Sequence, residues 1–147
     1  YLLLQKVPMK IDVKWLQDGY HFEAANEEGG LIRIDGNTEI GGLQGGISPM
    51  QLLLAGIGGC SAVDVISILK KQKQELKSLT VEIDGDKQPT GNGYSEFKTI
   101  HMRYILSGAL DEKKVQRALD LSITKYCSVS KALEKGSEIT YDFEIII

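Results

Sequence analysis

Short runs of alternating apolar and polar residues open the chain. Ile11, Val13 and Trp15 alternate with Asp12 and Lys14, and Gln17-Asp18-Gly19 turns the chain into a second strand at Tyr20–Glu23. Leu31–Ile34 reads as a third strand, closed by Asp35-Gly36-Asn37. The period then changes. Ser48 is placed as an N-cap, Pro49 suits the first helical position, and Gln51 completes an S-x-x-Q capping box. The helix that follows is expected to end near Lys73, in the charged run KKQKQELK. Its first half carries Leu52, Leu53, Leu54, Ile57, Val63, Val65 and Ile66, apolar on nearly every face, which predicts burial all round.

Beyond it, Leu79–Asp84 and Thr99–Leu106 alternate as strands around an expected polar loop, Gly85–Ser95. Asp111 caps an amphipathic helix in which Val115, Leu119 and Ile123 share a stripe with Ala118 alongside. A short helix over Val129–Lys135 is expected to stop at Gly136, and Glu138–Ile147 closes the chain as a strand with Ile139, Tyr141, Phe143 and Ile145 on one face. The order predicts an α+β fold. It is read as a single domain over 1–147, with N-terminal strands in 9–47, a central helix in 48–74 and a C-terminal α+β part in 75–147. Residues 1–8, YLLLQKVP, precede Met9 and are read as a tag or leader.

Composition narrows the function classes. A net charge of -3 offers no basic field for nucleic acid. The apolar stretch Met50–Val63 is shorter than the roughly 18–20 residues that span a bilayer, so no membrane segment is expected. The glycine-rich GGLQGG, residues 41–46, lacks the spacing and the lysine of a phosphate loop. A cytoplasmic location is expected, in which the two cysteines, Cys60 and Cys127, are free thiols or a redox pair rather than a staple. With His21 and His101 they show no metal-ligand spacing, and neither a metal nor a cofactor is expected.

The segment GIGGCSAVD, residues 56–64, carries the candidate chemistry. Each interior glycine costs a helix about 1 kcal/mol relative to alanine, so three in four positions point to a constraint other than helix formation. Cys60 and Asp64 lie one turn apart on one face. The bare periodicity equally suits an inert buried cysteine. Against that, Gly56 and Gly59 clear the turn over which the Cys60 side chain leans, leaving room for a substrate or a second backbone. Cys127 sits before a short helix, whose N-terminal amides are expected to favour a thiolate.

SPMQLLLAGIGGCSAVDV followed by YCSVSKALEKG resembles the OsmC/Ohr family of osmotically inducible and organic hydroperoxide resistance proteins, over most of the chain from Met9 on. The resemblance implies antiparallel sheets around a long buried central helix and an intertwined homodimer with its sites between subunits. It implies a thiol peroxidase for organic hydroperoxides, recycled by a lipoyl-type dithiol. Cys60 falls on the peroxidatic and Cys127 on the resolving position. Where peroxidase branches have a glutamate after the helix-capping proline, this chain has Met50, with Gln51 beside it. They also use an N-terminal arginine; Arg33 is the one arginine before Cys60. The Gly-Gly-Cys-x-x-x-Asp pattern points to a divergent OsmC-like branch. Candidate cations for Cys60 are Arg33, His21 and Lys131. Met50 also suits a non-enzymatic dimer with an apolar cleft for a small ligand, and the thiol pair suits a redox sensor.

Overall fold

The computed structural model describes residues 8–36, 42 and 45–147. Residues 1–7 of the expected leader, the end of the Asp35-Gly36-Asn37 turn and half of the GGLQGG loop lie outside them. Its contacts divide the chain into two units, Tyr1–Leu52 and Leu53–Ile147.

In the first unit, strands β1 (Asp12–Trp15), β2 (His21–Ala25) and β3 (Leu31–Asp35) form an antiparallel sheet in that order. The β1–β2 turn uses left-handed backbone at Gln17 and Gly19, and the Trp15 indole donates to the Gly19 carbonyl at 3.1 Å. Asn26 organises the next turn, its Oδ1 accepting from the amides of Glu28 and Gly30. After β3 the chain returns beside it. Ile47 exchanges backbone hydrogen bonds with Arg33 and Asp35, and the buried Asp35 carboxylate accepts from the Gly45 amide at 2.8 Å. A Cβ on Gly46 would sit 2.4 Å from the Arg33 carbonyl oxygen, so this approach requires glycine. Ile11, Val13 and Trp15, expected to share one strand face, are all more than half exposed.

Helix α1 (Pro49–Lys71) begins as the capping box predicts. The Ser48 amide donates to Gln51 Oε1 at 3.0 Å, and the Gln51 amide donates to Ser48 Oγ at 3.3 Å. The helix ends two residues earlier than expected. Lys73 takes a left-handed φ of 58°, its amide donates to the Lys70 carbonyl, and the Gln74 amide reaches back to Leu69. This is a Schellman closure built on lysine rather than glycine.

In the second unit, β4 (Glu75–Pro89), β5 (Ser95–Ala109) and β6 (Glu138–Ile146) form a sheet in that order. The expected Gly85–Ser95 loop is mostly strand. Pairing of β4 with β5 continues to Pro89↔Ser95, and the turn is only Thr90–Tyr94, with left-handed Gly91 and Gly93. Exposed polar residues carry ladder hydrogen bonds as well as apolar ones do, so polarity misplaced that boundary. Gly85 itself lies within the strand because the Phe97 ring occupies the place of its side chain: a Cβ there would be 2.5 Å from Phe97 Cε1.

The sheet is mixed rather than antiparallel throughout. β6 runs parallel to β5, from Thr99↔Glu138 to Ser107↔Ile146. A parallel return needs a long crossover, and α2 (Glu112–Leu121), a π-helical turn (Ser122–Tyr126) and α3 (Ser128–Leu133) supply it. Asp111 caps α2 as predicted, accepting from the Lys114 amide at 3.1 Å. Val115, Ala118, Leu119 and Ile123 are buried with Ile100, Met102, Tyr104 and Leu106 of β5. On the outer face, Arg103 bridges Asp142 and Glu144, and His101 reaches Thr140 and Asp142.

α1 is buried on one side only. Ile57, Gly58, Ser61, Val65 and Leu69 are covered, whereas Leu53, Val63 and Ile66 are 42%, 65% and 48% exposed. The expectation of burial all round therefore fails for the single chain. The helix also runs past the Met50–Val63 stretch, and at 23 residues it is by length and composition long enough to cross a membrane. Ile57, Ser61, Val65 and Leu69 of this helix are buried in the fold, and its Asp64 accepts a hydrogen bond from Ser122.

Candidate thiol site

Cys60 and Asp64 project from one face of α1, and Cys127 caps the N-terminus of α3. The two sulfurs and a carboxylate oxygen of Asp64 all lie within 4.8 Å of one another. Cys60 is half-buried and Cys127 fully buried. The π-helical turn places the capping cysteine: the Cys127 amide donates to the Ser122 carbonyl five residues back, at 2.7 Å. Such turns concentrate at functional sites because one wide turn re-aims the residues after it.

Beneath the thiols runs a buried chain of hydroxyls. Ser61 Oγ lies 2.5 Å from the Tyr104 hydroxyl and 2.8 Å from Ser122 Oγ, and Ser122 donates to Asp64 Oδ2 at 3.2 Å. The chain ties α1, β5 and the π turn together and ends on the carboxylate beside the sulfurs. Burial pushes the Tyr104 hydroxyl up to about 12, against a smaller opposite effect of its Ser61 contact. Burial likewise raises Asp64 from its ordinary value, partly offset by the hydrogen bond from Ser122.

Cys127 departs from the expectation of a readily ionised thiol. Burial, with a smaller contribution from the adjacent Cys60, pushes it up to about 11, outweighing the Ser130 amide that donates to its sulfur at 3.3 Å. Helix-terminal stabilisation is real but smaller than the cost of burying a thiolate here.

The glycines divide by role. A Cβ on Gly58 would meet Ile83 Cδ1 at 2.5 Å, so this glycine lets α1 settle onto β4. Among the described residues, Gly56 has only Val129 at 3.8 Å, and Gly59 has nothing within 4 Å. The residues that clear space are the two expected, and the one that permits close packing within the chain is the third.

The proposed cations have other partners. Lys131 pairs with Glu134 one turn on at 3.3 Å, Arg33 with Glu23 at 3.3 Å, and His21 Nδ1 faces Asp18 at 3.4 Å. Gln51 is committed to the helix cap, and Met50 is the half-buried second residue of α1. Sequence reasoning missed Ser61, Ser122 and Tyr104. Their only signal is a small polar residue beside each cysteine-bearing segment and a tyrosine on a buried strand face.

The OsmC-like protein family model matches residues 41–142. The chain belongs to the OsmC-like family. It is 36% identical over 139 residues to Protein YhfA of Escherichia coli K12, covering 94% of this chain and 98% of that protein. A solved hypothetical protein from Aquifex aeolicus VF5 is 27% identical, with a TM-score of 0.78 and coverage of 97% of this chain and 100% of that one. An organic hydroperoxide resistance protein OsmC from Legionella pneumophila, also described as a predicted redox protein, shares the fold at a TM-score of 0.75. It is 15% identical, with 95% of this chain and 98% of that chain covered. The mixed α+β arrangement is that of the OsmC-like family, and in this chain Cys60 and Cys127 meet where α1 and the start of α3 come together.

Proposed function

We propose that this OsmC-like chain is a cytoplasmic thiol peroxidase that reduces organic hydroperoxides through Cys60 and Cys127. The observation that supports it is the proximity of the two sulfurs, within 4.8 Å, with one half-exposed and the other buried. Structural neighbours named as organic hydroperoxide resistance proteins supply the substrate class. One from Vibrio cholerae carries captopril in an active site, consistent with a site of this fold that admits a small molecule.

In this reading the Cys60 thiolate attacks the distal peroxide oxygen and expels the alkoxide, which leaves as the alcohol after taking a proton. The Cys60 sulfenic acid then condenses with Cys127, releasing water and forming the disulfide. The buried Cys127 thiol gives up its proton in that second step. A dithiol reductant of lipoyl type returns both thiols by exchange. The sulfurs must close to about 2.05 Å, which side-chain rotation and a small backbone shift provide. The functional form is a homodimer. Leu53, Gly56, Gly59, Val63 and Ile66 form an uncovered stripe along α1, the apolar face a second copy would cover.

One equivalent of cumene hydroperoxide should consume two thiols and produce an intramolecular disulfide. Cys127→Ser should stop at a trappable sulfenic acid on Cys60. Cys60 unmodified after prolonged excess peroxide sinks the proposal. An uncharged ligand bound without thiol loss would favour the alternative reading, a small-ligand-binding dimer, which the apolar Met50 beside the helix cap suits.

A further inference from the structure

Cys60, Asp64 and Cys127 have no metal spacing in sequence, yet the fold gathers their three ligand atoms within 4.8 Å. A tetrahedral zinc ion bound at about 2.3 Å to sulfur and about 2.0–2.2 Å to oxygen separates its ligands by roughly 3.5–3.8 Å. Closing this set onto a cation requires side-chain adjustments on the order of 1 Å. Cys60 and Asp64 come from one helix face at i, i+4, a spacing that holds two ligands rigidly on one side of an ion. Cys127 supplies the third from a separate, buried element.

Two further observations support a ligand set. First, the residues behind the ligands are those a metal site needs. Ser122 donates to Asp64 Oδ2, leaving the carboxylate its second oxygen, and the Ser130 amide donates to Cys127 Sγ. Hydrogen bonds of this kind orient metal-bound carboxylates and thiolates. Second, charge is missing. Among the described residues no lysine, arginine or histidine pairs with Asp64. This half-buried carboxylate beside two thiols thus has a hydroxyl contact but no counter-cation among the described residues.

We infer that the reduced Cys60–Asp64–Cys127 cluster binds a thiophilic divalent cation of the zinc class. Two thiolates select such an ion over magnesium or calcium. Binding replaces the thiol protons, which pass to the buffer as the sulfur–metal bonds form. Three protein ligands leave a fourth position on the half-exposed Cys60 side, the arrangement of an exchangeable rather than a sealed structural site. The oxidised pair offers no thiolate, so binding is a property of the reduced chain. A metal held by these sulfurs occupies the two thiols of the proposed peroxidase, and the test reads metal capture rather than peroxide turnover.

The test is a titration of reduced, metal-stripped protein with Cd2+ under argon, followed by the sulfur-to-cadmium charge-transfer band and by proton release. One Cd2+ per chain is expected, with protons released in step. Cys60→Ser and Cys127→Ser should lose the band. Asp64→Asn keeps an acceptor for Ser122 and should bind at least about tenfold more weakly, with the metal-free melting temperature preserved. If Cys127→Ser fails to fold, Asp64→Asn decides alone. The inference is overturned by the absence of a band in the reduced parent, by a band that survives in folded Cys127→Ser, or by parental affinity in Asp64→Asn.

Discussion

The sulfurs of Cys60 and Cys127 lie within 4.8 Å of each other, although one sits mid-way along α1 and the other caps α3. Their environments differ in kind. Cys60 meets solvent, and Cys127 is sealed and held in its thiol form by burial and by Cys60 itself. Because only the thiolate is a nucleophile, the sealed Cys127 is expected to be unreactive for as long as it stays a thiol.

Alkylation should show that order directly. In chelator-treated native protein, Cys127 should resist iodoacetamide at neutral pH and gain reactivity only as the pH approaches about 11. Cys60→Ser removes the secondary cause of the upward shift, so the alkylation profile of Cys127 should move to lower pH. Burial, the largest cause, remains, so the profile should stay above that of an ordinary thiol. Site-resolved mass spectrometry across a pH series measures both. A Cys127 that reacts at neutral pH like a free thiol contradicts this account.

Tyr104→Phe tests the hydroxyl chain. It removes the partner 2.5 Å from Ser61 while leaving Ser61 its contact with Ser122. A loss of about 1 kcal/mol is expected, since one buried hydrogen bond disappears without leaving Ser61 wholly unpaired. For a chain of this size that is a fall of roughly 2–4 °C in Tm, readable by calorimetry. An unchanged Tm means that the chain contributes no net stability.

Adjacent glycines should respond in opposite ways. Gly58→Leu drives a side chain into Ile83 and should cost at least about 1–3 kcal/mol by overpacking. Gly59→Leu meets open space among the described residues, so it should leave the subunit folded while weakening self-association. Denaturant melts and sedimentation velocity separate the two effects. Equal behaviour of the two variants would show that the exposed glycine serves no contact between copies.

The parent protein should sediment as a dimer at micromolar concentration. A helix with Val63 65% exposed and Ile66 48% exposed leaves apolar surface that association removes from water. A monomer under these conditions removes the argument for a site completed by a second subunit.

Local chemistry was legible along the chain. Ser48 with Gln51 and Asp111 with the Lys114 amide form the caps that their side chains predict, because a cap needs only neighbours within one turn. The stripe of Val115, Ala118, Leu119 and Ile123 is buried as its spacing requires. Boundaries drawn from polarity were less legible. The Gly85–Ser95 stretch pairs as strand because Phe97 fills the gap over Gly85 and the backbone ladder is indifferent to exposed side chains.

The sequence by itself determined the α+β order, the helix starts, the family and the two thiols as the residues to watch. Only the tertiary structure decided what those thiols can do. Ser61 and Ser122, 61 residues apart, meet through packing of α1 against the π turn, and no periodicity records that contact. The parallel placement of β6 and the crossover carry Cys127 to Asp64 and Cys60. Its ionisation then follows from burial, which overrides the helix-terminal effect read from local sequence. Capping and periodicity act over one or two turns, whereas desolvation and charge depend on every element that closes around a group.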